Sequence, residues 1–278
     1  MIPALYLVAT PIGNLEDITY RAIGVLKNVD LIACEDTRHT SHLLSHFGIK
    51  KKLTSLHQHN EKYKTDKLLK ELEGGVSIAY VSDAGTPAIS DPGAHLVNKA
   101  LKQGFKVIPV PGASSVISAF SVSGVESTQF EFHGFLPNSD SKSKKLLNEM
   151  SLKRIPAIFF VSPHRILKTI EILEVIYGSS HEVFIARELT KIYETLYKDE
   201  LQNILKQFRL DKDNLKGEFV VIVEPMLMSD KDFEGLPLKE ALKVMMKELT
   251  LNQSVKLATS IFKKSKKDVY NLALELKK

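Results

Sequence analysis

Short, mostly apolar runs alternate with amphipathic stretches from the first residues of the chain. Residues 5–9, 31–34, 77–81 and 106–110 have the length and apolar density of buried strands. Between them, 20–27, 40–47 and the stretch carrying Leu96, Val97, Ala100 and Leu101 place apolar residues three and four apart, as helices do. The pattern predicts an α/β fold. It then repeats with different spacing: a helix over 114–121, a strand over 130–135, a polar and mobile loop over 137–143, a strand over 157–161 and a helix over 165–177. A strand over 182–186, a strand and a helix fitted to 193–197 and 200–208, and a strand over 218–223 complete it. Pro111-Gly112 interrupts the series, so the expected domains are 1–112 and 113–228.

Past Pro225 the pattern is helical only, over 238–249, 254–262 and 266–276. Ser265 followed by Asp268 has the spacing of a capping box, and Lys263-Lys264-Ser265 makes a short turn before it. Residues 229–278 therefore form a third, helical module. Its outline is that of a helix-turn-helix, one shared by many bundles that touch no nucleic acid.

The ends of the predicted strands carry the chemistry. Ala9-Thr10-Pro11-Ile12-Gly13-Asn14, Cys34-Glu35-Asp36-Thr37-Arg38, Ser82-Asp83-Ala84-Gly85-Thr86-Pro87 and Pro109-Val110-Pro111-Gly112-Ala113-Ser114-Ser115 each follow a strand. Gly and small polar residues let main-chain N–H and C=O groups approach a small molecule closely. In an open α/β sheet, that rim is where ligands bind. The plainer alternative for 82–93 is a strand-to-helix connection with Asp91 as the helix cap. No G-x-G-x-x-G and no G-x-x-x-x-G-K-[ST] occurs among the 14 glycines, so dinucleotide and nucleoside-triphosphate readings lose their main support.

Composition narrows the setting. No apolar run approaches the roughly 20 residues that span a membrane, the N-terminus lacks a basic segment before its first strand, and Cys34 is the sole cysteine. A cytoplasmic protein is expected. The net charge is +5, yet residues 239–278 hold ten Lys and four acids, 10 − 4 = +6, leaving the remainder near −1. Lys256, Lys263, Lys264, Lys266 and Lys267 are thus candidate contacts to an RNA backbone, against the plainer alternative of a solvated helical face.

Blocks 10–15, 34–38, 80–93, 109–116, 134–137 and 186–191, in this order, resemble the tetrapyrrole-methylase-like (class III) S-adenosylmethionine methyltransferases. Within that family the chain is most similar to members that methylate a cytidine 2′-hydroxyl in 16S ribosomal RNA. The resemblance covers most of 1–225 and implies two α/β domains, with S-adenosylmethionine folded into the cleft between them, and a homodimer. It implicates Pro11, Gly13, Ser82, Asp83, Ala84, Gly85, Ile89, Ser114 and Ser115 in cofactor binding. From the second domain it adds Ser162-Pro163, Ala186 and Gly217-Glu218. The small-subunit RNA or the 30S subunit is the implied partner.

Methyl transfer to a ribose hydroxyl needs a group that takes its proton and a positive neighbour. Ala186-Arg187-Glu188-Leu189-Thr190-Lys191 supplies both at a strand end, with Glu194 behind. Glu188 is expected as base or orienter, Lys191 as electrostatic partner and Arg187 as a phosphate or carboxylate clamp; a surface ion-pair cluster is the alternative. Glu35, Asp36 and Arg38 either fix a helix start or place Arg38 on RNA. His39, His42 and His46 share a helical face near His57 and His59, but without Cys or carboxylate ligands in a tight array no metal is expected. Rival readings are a sister methylase of a small tetrapyrrole or a protein side chain, and a non-catalytic ribosome-binding relative.

Overall fold

The computed structural model describes residues 1–226 and 238–276. The chain divides into two compact units, Met1–Pro225 and Met226–Lys278. The expected boundary at 228/229 and the tail lysines Lys277 and Lys278 lie outside the described residues.

The first half of the larger unit runs β1 (Leu5–Val8), α1 (Tyr20–Asn28), β2 (Leu31–Cys34), α2 (Thr37–His46), β3 (Leu53–Ser55), α3 (Glu61–Glu73), β4 (Ile78–Val81), α4 (Ala94–Lys102) and β5 (Val107–Val110). Its sheet is parallel throughout, in the order β3-β2-β4-β1-β5. All strands therefore end on one rim, as a parallel sheet with right-handed crossovers requires. Residues of β2 and β4 are fully buried, because helices cover both faces. α1 and α2 pack on one face through Ala22, Val25, Leu26 and Leu44. α3 and α4 pack on the other through Leu68, Leu69, Leu72, Leu96 and Ala100. β1 and β4 are neighbours whose onward helices lie on opposite faces, which leaves an opening between their loops.

The second half runs α5 (Ser115–Val122), β6 (Glu131–Phe135), α6 (Asp140–Ser151), β7 (Ala157–Val161), α7 (Ile166–Tyr177), β8 (Glu182–Arg187), β9 (Thr195–Glu200), α8 (Leu201–Leu210) and β10 (Phe219–Val223). Its sheet is mixed, ordered β6-β7-β10-β8-β9, with only β6 and β7 parallel. α5 covers one face, seating Val116 and Ala119 on Ile158, Phe184, Ala186, Val220 and Ile222.

Several expectations are corrected. Residues 140–143 are the first turn of α6 rather than a mobile loop; the Ser143 hydroxyl donates to the Pro137 carbonyl and accepts from Arg165 Nη2. α2 begins at Thr37, three residues early, because the Asp36 side chain accepts from the Arg38 amide and caps it. Leu101 faces solvent, leaving Leu96 and Ala100 as the buried face of α4. β3 and α3 are elements the apolar pattern does not announce.

The smaller unit packs α9 (Leu238–Glu248), α10 (Leu251–Phe262) and α11 (Lys266–Glu275) around Leu242, Val255, Ala258, Val269 and Ala273. Ser265 caps α11 by accepting from the Asp268 amide, and a full capping box also starts α10, between Thr250 and Gln253. Lys263 takes the left-handed conformation that turns the chain between them.

Candidate active site

Four strand-end loops are bound into one wall. Thr10 and Gly85 exchange two main-chain hydrogen bonds, of 2.9 and 3.0 Å, across the β1–β4 opening. Gly85 needs φ +75° there, and a Cβ would stand 3.3 Å from Ile12 Cγ2. The Thr10 hydroxyl donates to Ser82 O at 3.3 Å and the Thr86 hydroxyl to Ala113 O at 3.1 Å, which joins the loop after β5 to the wall. Asp83 Oδ1 accepts from the Asp36 amide at 3.1 Å and ties in the loop after β2. Ala88 and Ser90 hold left-handed conformations, a backbone cost that the loop's many ties maintain. Asp91 does not cap α4. Gly93 occupies that position against the Tyr80 ring, and Glu61 Oε1 accepts from the amides of Gly93 (2.8 Å) and His95 (3.3 Å).

This wall and the facing edge of the second half enclose a cleft of about 410 Å³. Among the described residues its lining includes Glu35, Asp83, Asp91 and Glu218 and no Lys, Arg or His. Ile12, Ile89, Phe135, Phe160 and Leu189 supply apolar surface, and Ser114, Ser115 and Ser162 supply hydroxyls. Burial, reinforced by Asp83, Asp91 and Asp36, pushes the Glu35 carboxyl above its usual range. Burial raises Asp91 too, with Asp83 adding to it, although a Ser82 hydrogen bond works the other way. The cavity is thus a shielded, electronegative space suited to a compact cation.

At its edge the turn after β8 presents a second, self-neutralised group. Lys191 Nζ donates to Glu188 Oε1 at 2.9 Å and to Glu218 Oε2 at 3.0 Å, and Glu188 Oε1 also accepts from the Glu218 amide at 2.9 Å. Burial pushes Glu188 up, but Lys191 and that amide outweigh it and hold the carboxyl below its usual range. Burial works against the Lys191 charge in the same way, and the two carboxylates outweigh it. Glu188 and Thr190 are both left-handed. Two glycines seat the turn. A Cβ on Gly217 would stand 2.6 Å from Glu188 Cγ, and one on Gly13 would stand 2.5 Å from Lys191 Cγ and 2.9 Å from Leu189 O. The Asn14 amide donates to Thr190 Oγ1 at 3.0 Å, so the loop after β1 carries this turn directly.

Of the residues the sequence nominates, Asp83, Ala84, Gly85, Ile89, Ser114, Ser115, Ser162 and Ala186 line the cleft. Pro11, Gly13, Ser82 and Gly217 do not; Ser82 is buried with its hydroxyl on Ala84 O, and Gly13 and Gly217 abut the turn at the cleft's edge. Arg187 Nε and Nη2 donate to Lys216 O (2.7 Å) and Asp213 O (2.8 Å), so it braces the 212–216 turn instead of reaching the cavity as a clamp. Arg38 is 88% exposed and bidentate on Asp36, at 3.1 and 2.7 Å, which holds that carboxyl well below its usual range. Lys256, Lys263, Lys264, Lys266 and Lys267 are exposed around the α10–α11 turn of the smaller unit. Among the described residues no group of three His, Cys, Asp or Glu is placed to hold a metal ion. Pro163 and Glu218 line it as well, as do Glu35, which the sequence left between fixing a helix start and supporting an RNA contact, and Asp91, which it offered as part of the ligand-holding loop or as a helix cap.

Residues 4–205 match the family model described as tetrapyrrole (corrin/porphyrin) methylases. The chain is 43% identical over 272 residues, 98% of its length and 96% of the relative's, to ribosomal RNA small subunit methyltransferase I of Pasteurella multocida (strain Pm70). It is 45% identical over 276 residues, 98% and 95% of the two lengths, to the protein of the same name from Vibrio cholerae. Among solved structures, a diphthine synthase superposes with a TM-score of 0.61 at 15% identity, covering 83% of this chain and 93% of that one. A cobalt precorrin-4 methyltransferase superposes with 0.59 at 16%, covering 80% and 95%. No helix among the described residues is long and apolar enough to cross a membrane. With the rim-bound loops, the two-sheet body and these matches together, the chain belongs to the tetrapyrrole methylase family.

Proposed function

We propose that this protein is an S-adenosylmethionine-dependent methyltransferase that methylates the 2′-hydroxyl of a cytidine in small-subunit (16S) ribosomal RNA. The observation that carries this is the end-to-end similarity, 43–45% over 98% of the chain, to proteins named for methylating small-subunit ribosomal RNA. The similarity does not favour the tetrapyrrole, protein-side-chain and non-catalytic alternatives.

The cleft fits the cofactor on physical grounds. S-adenosylmethionine supplies a methyl group on a positively charged sulfur and also carries an ammonium, and a cavity lined by Glu35, Asp83 and Asp91, with Glu218 at its edge paired to Lys191, favours positive charge. Main chain at Asp83, Ala84 and Gly85, the Ile89 surface, the Ser114, Ser115 and Ser162 hydroxyls and Ala186 would hold it; Pro11, Gly13, Ser82 and Gly217 position that wall. Lys191 is the positive group nearest the chemistry, and Glu188, held ionised, orients it. A carboxylate so stabilised is a weak proton acceptor. Glu35, whose proton is held more tightly and for which no hydrogen bond competes, is the better one for the ribose hydroxyl. Arg187 stiffens the turn bearing Gly217.

Outside the cleft, Arg38 and the tail lysines Lys256, Lys263, Lys264, Lys266 and Lys267 grip the RNA backbone. Ahead of the helical module the chain works as two domains that divide at 112/113, the expected 1–112 and 113–228. Exposed Ile192 and Tyr193, beside the edge strand β9, support a homodimer, and the ribosomal RNA substrate of this reading implies the cytoplasm. Tritiated methyl transfer to unmodified small subunits, followed by nucleoside analysis, tests the reading: label in 2′-O-methylcytidine is expected. Label in a base, in another nucleoside or in protein overturns it.

A further inference from the structure

From Thr37 to Asn60 the chain holds no Asp or Glu, although 33 acids in 278 residues would place about three in a segment of 24. The same segment carries Arg38, Lys50, Lys51, Lys52 and five of the nine histidines. The fold places α2 on one face of the first sheet and Lys50, Lys51 and Lys52 just before its edge strand β3. α2 buries Thr40, Leu43 and Leu44, which leaves Arg38, His39, Ser41, His42, Ser45 and His46 exposed. Because α2 runs antiparallel to β2 in a crossover, it starts at the cleft rim and ends at the opposite rim, about 15 Å away at 1.5 Å per residue. There Ser41, Ser45, Gly48, Lys50 and Lys51 line a hollow of about 330 Å³. β3, which follows, is the sheet edge, and Lys64 reaches it from α3 to donate to Thr54 Oγ1 at 3.3 Å. Asp30 also faces Lys51: the Ser77 amide and hydroxyl bind its carboxylate and hold it ionised, so it offsets part of the Lys51 charge.

We propose that the basic, acid-free segment from α2 to the start of β3 forms a binding surface for an RNA phosphate backbone, centred on the Ser41–Ser45–Lys50–Lys51 hollow and made of residues that belong to neither the cleft nor the tail. It rests on the reading of the substrate as RNA. The serines and lysines around this hollow, whose lining also includes Leu44, Ile49 and Leu53, suit a phosphate, and the helix provides a track from the methylation site to it. The Asp36-paired Arg38 marks the cleft end of that track, so the lysines supply most of the free positive charge. The competing account is that Lys50, Lys51 and Lys52 only protect an edge strand from pairing with other chains.

The test is filter binding of the full-length protein to unmodified 16S ribosomal RNA transcript from about 50 to 200 mM salt, with the K50S/K51S/K52S triple variant. Three lost phosphate contacts lower the salt slope by about 2, at about 0.7 each for single-stranded RNA. The affinity deficit of the variant should then shrink about 15-fold across that salt range, with S-adenosylmethionine affinity unchanged. S41E/S45E, which places anions in the hollow without touching the edge strand, should weaken RNA binding in the same direction. A salt-dependent wild type with slopes identical in both variants overturns the surface and leaves the RNA reading standing. A wild type that binds neither the transcript nor the unmodified small subunit overturns both.

Discussion

Gly13→Ala should damage both stability and catalysis by wedging apart two loops, even though the new atom is a single methyl. Its Cβ would lie 2.5 Å from Lys191 Cγ, 2.7 Å from Thr190 Oγ1 and 2.9 Å from Leu189 O. The lysine stem can swing away. The other two atoms cannot, because Thr190 Oγ1 accepts from the Asn14 amide and the Leu189 carbonyl sits between two left-handed residues. Relief to an ordinary 3.4 Å contact needs 3.4 − 2.9 = 0.5 Å to 3.4 − 2.7 = 0.7 Å of displacement of the turn. Overpacking of this kind costs about 1–3 kcal/mol. For a unit of this size that lowers Tm by about 2–12 °C. A shift of this order at Lys191 should also cost about 10- to 100-fold in single-turnover methyl transfer, since misplacement by about 1 Å can cost that much. Gly24→Ala is the internal control: it lies within α1, without a positive φ and with nothing within 4 Å of a Cβ, so it should gain about 0.5–1 kcal/mol. Differential scanning fluorimetry and a single-turnover assay decide. A Gly13→Ala protein that melts and turns over like the wild type would refute the account of how the turn is seated.

Two further outcomes follow from the charges. Lys191→Met leaves Glu188 and Glu218 as facing carboxylates, and Glu188→Gln removes the charge that orients Lys191; each should lower single-turnover transfer by orders of magnitude at nearly unchanged cofactor affinity. Loss of cofactor binding in calorimetry would instead make these residues part of the cofactor wall. Glu35 and Asp91 bind protons more tightly in the fold than unfolded. The ligand-free protein should therefore lose stability as pH rises from their ordinary values of 4.5 and 3.8 through their raised ones. A cationic cofactor should offset this, so its affinity climbs over the same window with proton release. Glu35→Gln should flatten the climb and slow transfer, and a pH profile identical to the wild type would remove Glu35 from the cleft chemistry.

What the apolar pattern revealed, and what it did not, follows from how each element is buried. β2, β4 and β10 are buried along their whole length, so they appear as continuous apolar runs. β3 is a half-buried three-residue edge strand, Leu53-Thr54-Ser55, with no run to detect. α3 and α6 are charge-rich helices that bury narrow faces, Leu68, Leu69 and Leu72 in one and Leu147 and Met150 in the other, so their polar first turns resemble loops. The strand-end loops were legible because Gly and Pro mark them. Their mutual ties, such as Thr10 to Gly85 and Asn14 to Thr190, join residues 75 and 176 apart and leave no local trace.

The Glu35-Asp36 pair shows why a charged cluster read from sequence resists division into structural and functional parts. At a strand end successive side chains leave in opposite directions. One direction here meets the first turn of α2, where Asp36 accepts from the Arg38 amide and pairs with its guanidinium. The other meets the cleft, where Glu35 joins Asp83 and Asp91. Fixing a helix start and facing the chemistry, a role that the sequence reading of this motif did not weigh, are therefore not rival accounts of it. Each belongs to a different carboxylate, and the parity of the strand decides which. The same division explains the unequal proton affinities: a hydrogen-bonded, exposed carboxylate is stabilised as an anion, whereas its neighbour, enclosed among like charges, is not. Moving the β2 exit by one residue would exchange the two roles and place the arginine-paired carboxylate in the cavity, where it would hold its charge and lose its use as a proton acceptor.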